Sequence, residues 1–391
     1  MIKWIMAASS SRGPLPATSC GRLLRTGAAR TRTTRRTMPR SCPAGWEALE
    51  DALTSRYEER AEELGMRGAL LRVLTPQATT TITSGPVDAV YPTKILPVAS
   101  ATKLVTGVLV LKLIDEGKMK FEDTVGEVLG GLFAEDPILS FATIDHLGSF
   151  VGGLNTFHPA VFSTEVGTLR AACEKIVQES PRPLEVPGST FAYAGSQTHL
   201  LALMAEERAG MGWSDLFDKY LRTPLGLSED CVYTTQPSPS RPVVSNNPMV
   251  SGGLMASAED FERVLRMILA GGEAEDGSRY LSTDLVGRLF RNPHAGAKVA
   301  SNPLEEMGLG YRYGFCCWMD AEGAPAEADV ISSPGFNGFV PFLDRANGYA
   351  AVLALGSGRA DGVMDAEVWP FCVHLTNELK PHIERAVRNN A

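Results

Sequence analysis

The chain reads as a mixed α/β protein of the α+β type: an antiparallel sheet flanked by helices, with an all-helical lobe inserted into it. Three observations carry this expectation. β-prone runs lie near both ends, helical patterning fills the middle, and one central helix is apolar on every side. Strands far apart in sequence must then share a sheet, and a cleft is expected between the sheet lobe and the helical lobe. The 391 residues are 44% hydrophobic, 21% charged and 7% aromatic. That is ordinary globular usage and excludes disorder, collagen or a coiled coil as the main architecture.

Residues 1–45 read as a disordered basic extension and residues 46–391 as the folded unit. Residues 1–46 hold nine basic residues and no acid, which leaves 28 basic against 45 acidic residues beyond them, a net of −17. The Arg, Ser, Thr and Ala composition of the head is that of an organelle transit peptide, mitochondrial ahead of plastid. Translation from Met38 would instead leave the protein in the cytoplasm. The acidic body would repel phosphate backbones, so no nucleic acid partner is expected. No window has the ~18 to 20 apolar residues of a membrane span, so no membrane partner is expected either. Oligomeric state is not legible.

Glu47 to Leu64, rich in Glu, Ala and Leu, predicts a helix ending near Gly65. Ala69 to Val73 and Thr79 to Thr83 flank Thr75-Pro76-Gln77 and predict a hairpin. From Ser100, Leu104, Val105, Val108, Leu109, Leu111, Leu113 and Ile114 make a helix apolar all round, stopping at Gly117. Further helices are predicted over Thr198 to Arg208, Ser214 to Leu221 and Ser257 to Leu269, the last opened by Ser257 and Asp260 as a capping-box pair. Phe315 to Met319, Phe339 to Leu343 and Tyr349 to Leu355 predict strands. Glu367 to Arg388 predicts a broken helical stretch, with Pro370 and Pro381 marking starts or breaks. The stretch Phe150 to Arg182 is expected to form part of the cleft wall and carries no readable motif.

Seven scattered cysteines without a C-x-x-C spacing exclude zinc knuckles and a disulfide framework, so buried thiols are expected, Cys316-Cys317 among them. His146, His158 and His199 lack metal spacing, and no metal or cofactor is expected. There is no Gly-x-Ser-x-Gly elbow and no Gly-x-Gly-x-x-Gly after a strand.

Ser100-Ala101-Thr102-Lys103 is the one Ser-x-x-Lys in the chain. On a helix, residues three apart share a face, so a hydroxyl would sit beside an ammonium near the helix's positive end. A lysine able to take the serine proton makes that pair a nucleophile. A capping serine with a snorkelling lysine reads the same four residues equally well.

The surroundings separate the two. ILPVASATKLVTGVLVLKLIDEGKMKFEDTVGEV, from Ile95 to Val128, resembles the serine beta-lactamase-like family, which includes class C beta-lactamases and the penicillin-binding-protein-like esterases and acyltransferases. Further matches follow in that family's order: Thr143-Ile144-Asp145-His146-Leu147 with Gly152-Gly153-Leu154, then Pro187 to Gly195, then Thr223-Pro224-Leu225-Gly226-Leu227. Gly252 to Asp260 and Ser333-Pro334-Gly335-Phe336-Asn337-Gly338-Phe339 complete them. The resemblance runs from about Trp46 to the end of the chain. It implies a beta-lactamase/transpeptidase-like fold, Ser100 as nucleophile, Lys103 as its general base and Tyr193 as a second proton-transfer group. A core aromatic hydrogen-bonding a loop is the other reading of Tyr193. The resemblance also implies an oxyanion hole from the N–H groups of Ser100 and Phe336, the latter on a strand beside Gly335. Asn337-Gly338 competes with this, because as a hairpin turn it would put Phe336 at a turn edge.

Two departures matter. After Tyr-x the family has Asn, whereas this chain has Gly195 followed by Ser196 and Gln197. Either Ser196 or Gln197 replaces the amide, or its contact is lost. Where the family has Lys or His before x-Gly, this chain has Ser333, which removes a cation for a substrate carboxylate. The expectation is therefore a Ser–Lys–Tyr acyl-enzyme hydrolase acting on a small-molecule ester or amide, esterase rather than beta-lactamase. Substrate contacts are expected from Gly195, Ser196, Ser333, Gly335 and Phe336. An acyltransferase or transesterase of the same fold, or an inactive relative serving as a binding or assembly protein, are the alternatives.

Overall fold

The structure is a computed structural model, described over residues 45–86, 88–181, 185–237, 242–320, 326–358 and 364–390. The basic extension, apart from Gly45, lies outside the described residues, as do Cys20 and Cys42. Strands are β1 (Met66–Leu74), β2 (Thr79–Ser84), β3 (Leu96–Pro97), β4 (Thr190–Ala192), β5 (Val232–Tyr233) and β6 (Leu254–Ala256). They continue as β7 (Lys298–Ser301), β8 (Arg312–Tyr313), β9 (Trp318–Met319), β10 (Val330–Ser332), β11 (Phe339–Asp344) and β12 (Tyr349–Ser357). The main sheet has seven strands in the order β2-β1-β12-β11-β10-β9-β8, every neighbour antiparallel. Strands from near the two chain ends thus meet inside it, second and third from the β2 edge, where Leu70 of β1 stands opposite Ala354 of β12. This is the beta-lactamase/transpeptidase-like sheet that the sequence implies.

Alternation divides the strands between two cores. Leu71, Val73, Val340, Phe342, Ala351 and Leu353 face one side, and Leu70, Phe339, Leu343, Val352 and Ala354 face the other. Helices α1 (Glu47–Arg60) and α6 (Val368–Asn390) cover the first side with Leu53, Trp369, Leu375 and Ile383. The other side meets α2 (Thr102–Asp115) and, C-terminal to the helical lobe, α5 (Ala258–Leu269). The lobe itself contains α3 (Leu169–Glu179) and α4 (Gly195–Ala209). From Thr102 to Leu111 every residue of α2 is buried, as its all-round apolar pattern requires. The capping box opens α5 as expected: the Ser257 hydroxyl accepts from the Asp260 N–H (3.0 Å) and Asp260 Oδ2 from the Ser257 N–H (2.8 Å).

Two expectations need correction. Phe315 to Cys317 are not strand, and only Trp318–Met319 pair. Cys316 adopts φ +59° and its N–H donates to the Gly148 carbonyl (2.8 Å). Its Cβ lies 2.6 Å from where a Cβ at Gly107 of α2 would sit, so the segment turns to fit against the helix. The C-terminal helix is also continuous. Pro370 falls in its first turn, where a missing N–H costs little, and Pro381 is carried because Leu379 and Ile383 on either side are buried.

One carboxyl group in the helical lobe is displaced from its usual range. Glu206 of α4 accepts from the Trp213 N–H (2.7 Å), yet burial pushes its carboxyl up to about 7. A carboxyl raised in the folded state contributes stability below its unfolded value of 4.5 and loses it as pH rises through about 7. Glu206→Gln keeps the acceptor and removes the charge. Urea unfolding should show Glu206→Gln more stable than wild type by about 1 to 2 kcal/mol at pH 8, after allowance for partial solvent access. The two proteins should converge at pH 4.5. Equal stability at pH 8 would mean that the group is solvated.

Candidate active site

Ser100 lies in a 3₁₀ turn (Ala99–Ala101) that runs directly into α2, and Lys103 is the second residue of that helix. The chain enters this turn through Ala99 at φ +48°, a left-handed conformation that costs a non-glycine residue about 1 to 2 kcal/mol. The turn is held from both sides. On one, the Val98 N–H donates to the Leu254 carbonyl (3.2 Å), and the Thr102 hydroxyl accepts from the Leu254 N–H (3.1 Å). On the other, the Ser333 hydroxyl donates to the Ser100 carbonyl (3.1 Å) and the Asn337 amide to the Pro97 carbonyl (3.1 Å). Between those contacts Gly335 approaches so closely that a Cβ there would fall 2.1 Å from the Val98 oxygen.

Lys103 is 1% exposed. Its ammonium donates to Ser100 Oγ (3.1 Å) and to the Ser251 carbonyl (2.7 Å), and it lies 4.8 Å from the centroid of the Tyr193 ring. One turn along α2, the Thr106 hydroxyl donates to the neighbouring Val250 carbonyl (2.8 Å). The turn carrying these carbonyls is tight: a Cβ at Gly253 would lie 2.1 Å from the Thr234 oxygen. The structure therefore brings Ser100, Lys103 and the Tyr193 ring together. Ser251 is a partner that the sequence does not reveal, because a backbone carbonyl does the work and any residue type has one.

Tyr193 is set by its neighbours. Its ring stacks on Trp318 (5.1 Å between centroids) and meets Phe150 and Tyr313 edge-on (5.2 and 5.7 Å). The ring face turns to the ammonium, a geometry worth about 0.5 to 2 kcal/mol. No hydrogen bond of its hydroxyl is found among the described residues.

The first turn of α4 favours one of the alternatives left open after Tyr-x, the lost contact, and corrects one expectation. A Cβ at Gly195 would meet Phe157 at 2.8 Å and the Ser251 hydroxyl at 3.1 Å, so no asparagine fits there. Neither following residue replaces it. Ser196 is fully buried, its hydroxyl accepting from the His158 N–H (3.3 Å) and meeting Thr156 Oγ1 (3.2 Å). Gln197 accepts from the Gly152 N–H (2.7 Å) and donates to the Ala192 carbonyl (3.3 Å). Both are spent on neighbouring backbone and loop groups, so Ser196 is not a cleft-facing contact.

Two more corrections concern the last motif. Ser333 is buried and its hydroxyl is turned onto the Ser100 backbone, not into the cleft. Phe336 is not on a strand. Gly335 pairs with Phe339, and the three residues between them form the hairpin loop, closed by Gly338 at φ +72°. The Asn-Gly dipeptide set this turn. The N–H groups of Ser100 and Phe336 have no hydrogen-bond acceptor among the described residues.

The three histidines have local partners or burial instead of a shared ligand. His146 accepts from the Thr143 N–H (3.2 Å), His158 meets Glu179 (3.1 Å), and His199 is fully buried, which pushes its imidazole down to about 3. A cavity of about 350 Å³ near Phe121, Arg288 and Asn292 is lined by none of the residues around Ser100.

The family model described as Beta-lactamase matches residues 53–366. Penicillin-binding protein 4 of Amycolatopsis lactamdurans is 25% identical over 346 residues, covering 80% of this chain and 85% of that protein. Among solved structures, a putative beta-lactamase from Bacteroides dorei superposes with TM-score 0.70 at 21% identity, covering 85% of this chain and 98% of its own. EstCE1, described as a hydrolase with promiscuous acyltransferase activity, superposes with TM-score 0.65 at 17% identity, covering 85% of this chain and 100% of its own.

Gly335→Ala drives a methyl group into the Val98 carbonyl and should cost about 1 to 3 kcal/mol of stability, the range for overpacking. Gly310→Ala, where a Cβ meets nothing within 4 Å, is the control. Differential scanning calorimetry of both should show a lowered Tm for Gly335→Ala alone. Equal melting would mean that the 333–337 turn does not clamp the Ser100 segment.

Proposed function

The chain belongs to the Beta-lactamase family, and on that premise we propose that it is a serine hydrolase that cleaves a small neutral ester through an acyl-Ser100 intermediate. The observation that carries this reading is the buried Lys103 ammonium 3.1 Å from Ser100 Oγ, bonded otherwise to a neutral carbonyl. In its neutral form the amine takes the serine proton as Oγ attacks the ester carbonyl carbon. The N–H groups of Ser100 and Phe336 receive the developing oxyanion. The C–O bond to the alcohol then breaks, and the proton passes to that leaving oxygen from Lys103, with Tyr193 as the second group in the relay. Water repeats the sequence on the acyl-serine and releases the acid. An alcohol or amine acceptor in place of water turns the same cycle into acyl transfer.

The preference for neutral esters is supported by Ser333. A cation at this place would pair with a substrate carboxylate through a charge-assisted hydrogen bond. Here a neutral hydroxyl stands, already donated to the Ser100 carbonyl. An anionic substrate would lose hydration with no compensation at this point.

Ser100→Ala should abolish both ester turnover and labelling by a fluorophosphonate while the protein stays folded, and retained hydrolysis would end the proposal. Lys103→Met should lower kcat/KM by about 10² or more, the scale of lost general-base catalysis. Tyr193→Phe separates ring from hydroxyl: a similar loss assigns the hydroxyl to proton transfer, and wild-type activity assigns the residue to packing. Wild type should cleave p-nitrophenyl acetate with a higher kcat/KM than a cephalosporin; the reverse order would require another positive group in the cleft.

A further inference from the structure

Gly195 is the point where the loop from Gly152 to His158 touches the wall of the site. Phe157 lies on this loop, half-buried, with its ring carbons 2.8 and 2.9 Å from the place of a Gly195 Cβ and its centroid 6.2 Å from that of Tyr193. The loop is not loosely placed. Gly152 is held by Gln197 Oε1 (2.7 Å), the Thr156 carbonyl accepts from the Ser196 N–H (3.2 Å), and the His158 N–H donates to Ser196 Oγ (3.3 Å). Ser196 and Gln197 in the first turn of α4 thus both bond to one loop, whose aromatic residue comes to rest beside them.

Behind the ring is a polar atom without a use. The Ser251 hydroxyl is buried, has no hydrogen-bond partner among the described residues, and stands 3.1 Å from the same Gly195 Cβ position. Its own carbonyl accepts from Lys103. Phe157 and Ser251 thus border the place a Gly195 side chain would take, and the Ser251 carbonyl leads on to Lys103 beside the reactive serine, a path that starts from a half-buried ring. A side chain at Gly195 would divide that path, and with glycine there the ring itself is the boundary.

We infer that Phe157 is a specificity-determining residue: pinned over Gly195, it closes the acyl side of the site and restricts the substrate to esters of short acyl groups. The inference rests on the reading of Ser100 as nucleophile. On this reading a two-carbon acyl group would stop short of the ring, whereas an eight-carbon chain would have to displace it. Displacement is opposed by the hydrogen bonds that anchor the loop at both ends.

The test compares kcat/KM for p-nitrophenyl acetate and p-nitrophenyl octanoate in wild type, Phe157→Ala and Phe157→Leu, with the rate of labelling by a small fluorophosphonate measured in each. Wild type should favour acetate. Phe157→Ala should raise the octanoate-to-acetate ratio at least tenfold and Phe157→Leu by less, with labelling rates within threefold of wild type. An unchanged ratio in variants that still label overturns the role of Phe157 and leaves the serine reading intact. A wild-type preference for octanoate overturns it without any variant, which covers the case in which neither variant folds. Failure of wild type to label or turn over either ester overturns the nucleophile assignment, and this inference with it.

Discussion

An ammonium placed inside a helix that is buried on all sides has to be solvated by protein. Lys103 is that ammonium, and much of the surrounding structure follows from supplying it with partners. Its charge is met by the Ser251 carbonyl, the Ser100 hydroxyl and the Tyr193 ring. No carboxylate ion pair to it is found among the described residues. Each of the partners found is neutral. The tight turn at Gly252-Gly253, the aromatic box around Tyr193 and the second donation from Thr106 to Val250 all keep these neutral partners in place.

A second constraint acts on the serine. The turn at Ala99 is unfavourable by itself, so it persists only because contacts on both sides define it. Leu254 holds one edge, and the β10–β11 hairpin holds the other through Ser333, Gly335 and Asn337. These residues come from more than 150 positions later in the chain. The nucleophile is thus local in sequence, but its conformation is not.

This division explains what could be read in advance. The sheet, the all-round apolar helix, the capping box and the Ser-x-x-Lys pair were legible, because period, cap chemistry and helical spacing are local signals. Cys316 and Phe336 were misplaced because each lies where a turn is required by something distant: α2 in one case, the Ser100 segment in the other. In the second case the local Asn-Gly signal was on the page and was the better guide. The continuous C-terminal helix was missed because burial of Leu379 and Ile383 outweighs a proline. Ser251 and Phe157 had no signal, since one acts through its backbone and the other merely fills space beside a glycine.

The pairing of β1 with β12 has a consequence for synthesis. As the chain emerges, β1 and β2 form a two-stranded ribbon whose partner, residues 349–357, is made nearly 280 positions later. During that interval the hydrogen-bonding edge of β1 has no native partner, and Leu71 and Val73 have only α1 to cover them. Such an edge is a template for association with other chains, and non-local closure is slow. The helical lobe, built from contacts closer in sequence, can condense first and wait. Assembly of the sheet, and with it the hairpin that clamps Ser100, belongs to the final stage of folding, so a ribosome-bound or truncated chain would carry the serine and the lysine without the geometry that joins them.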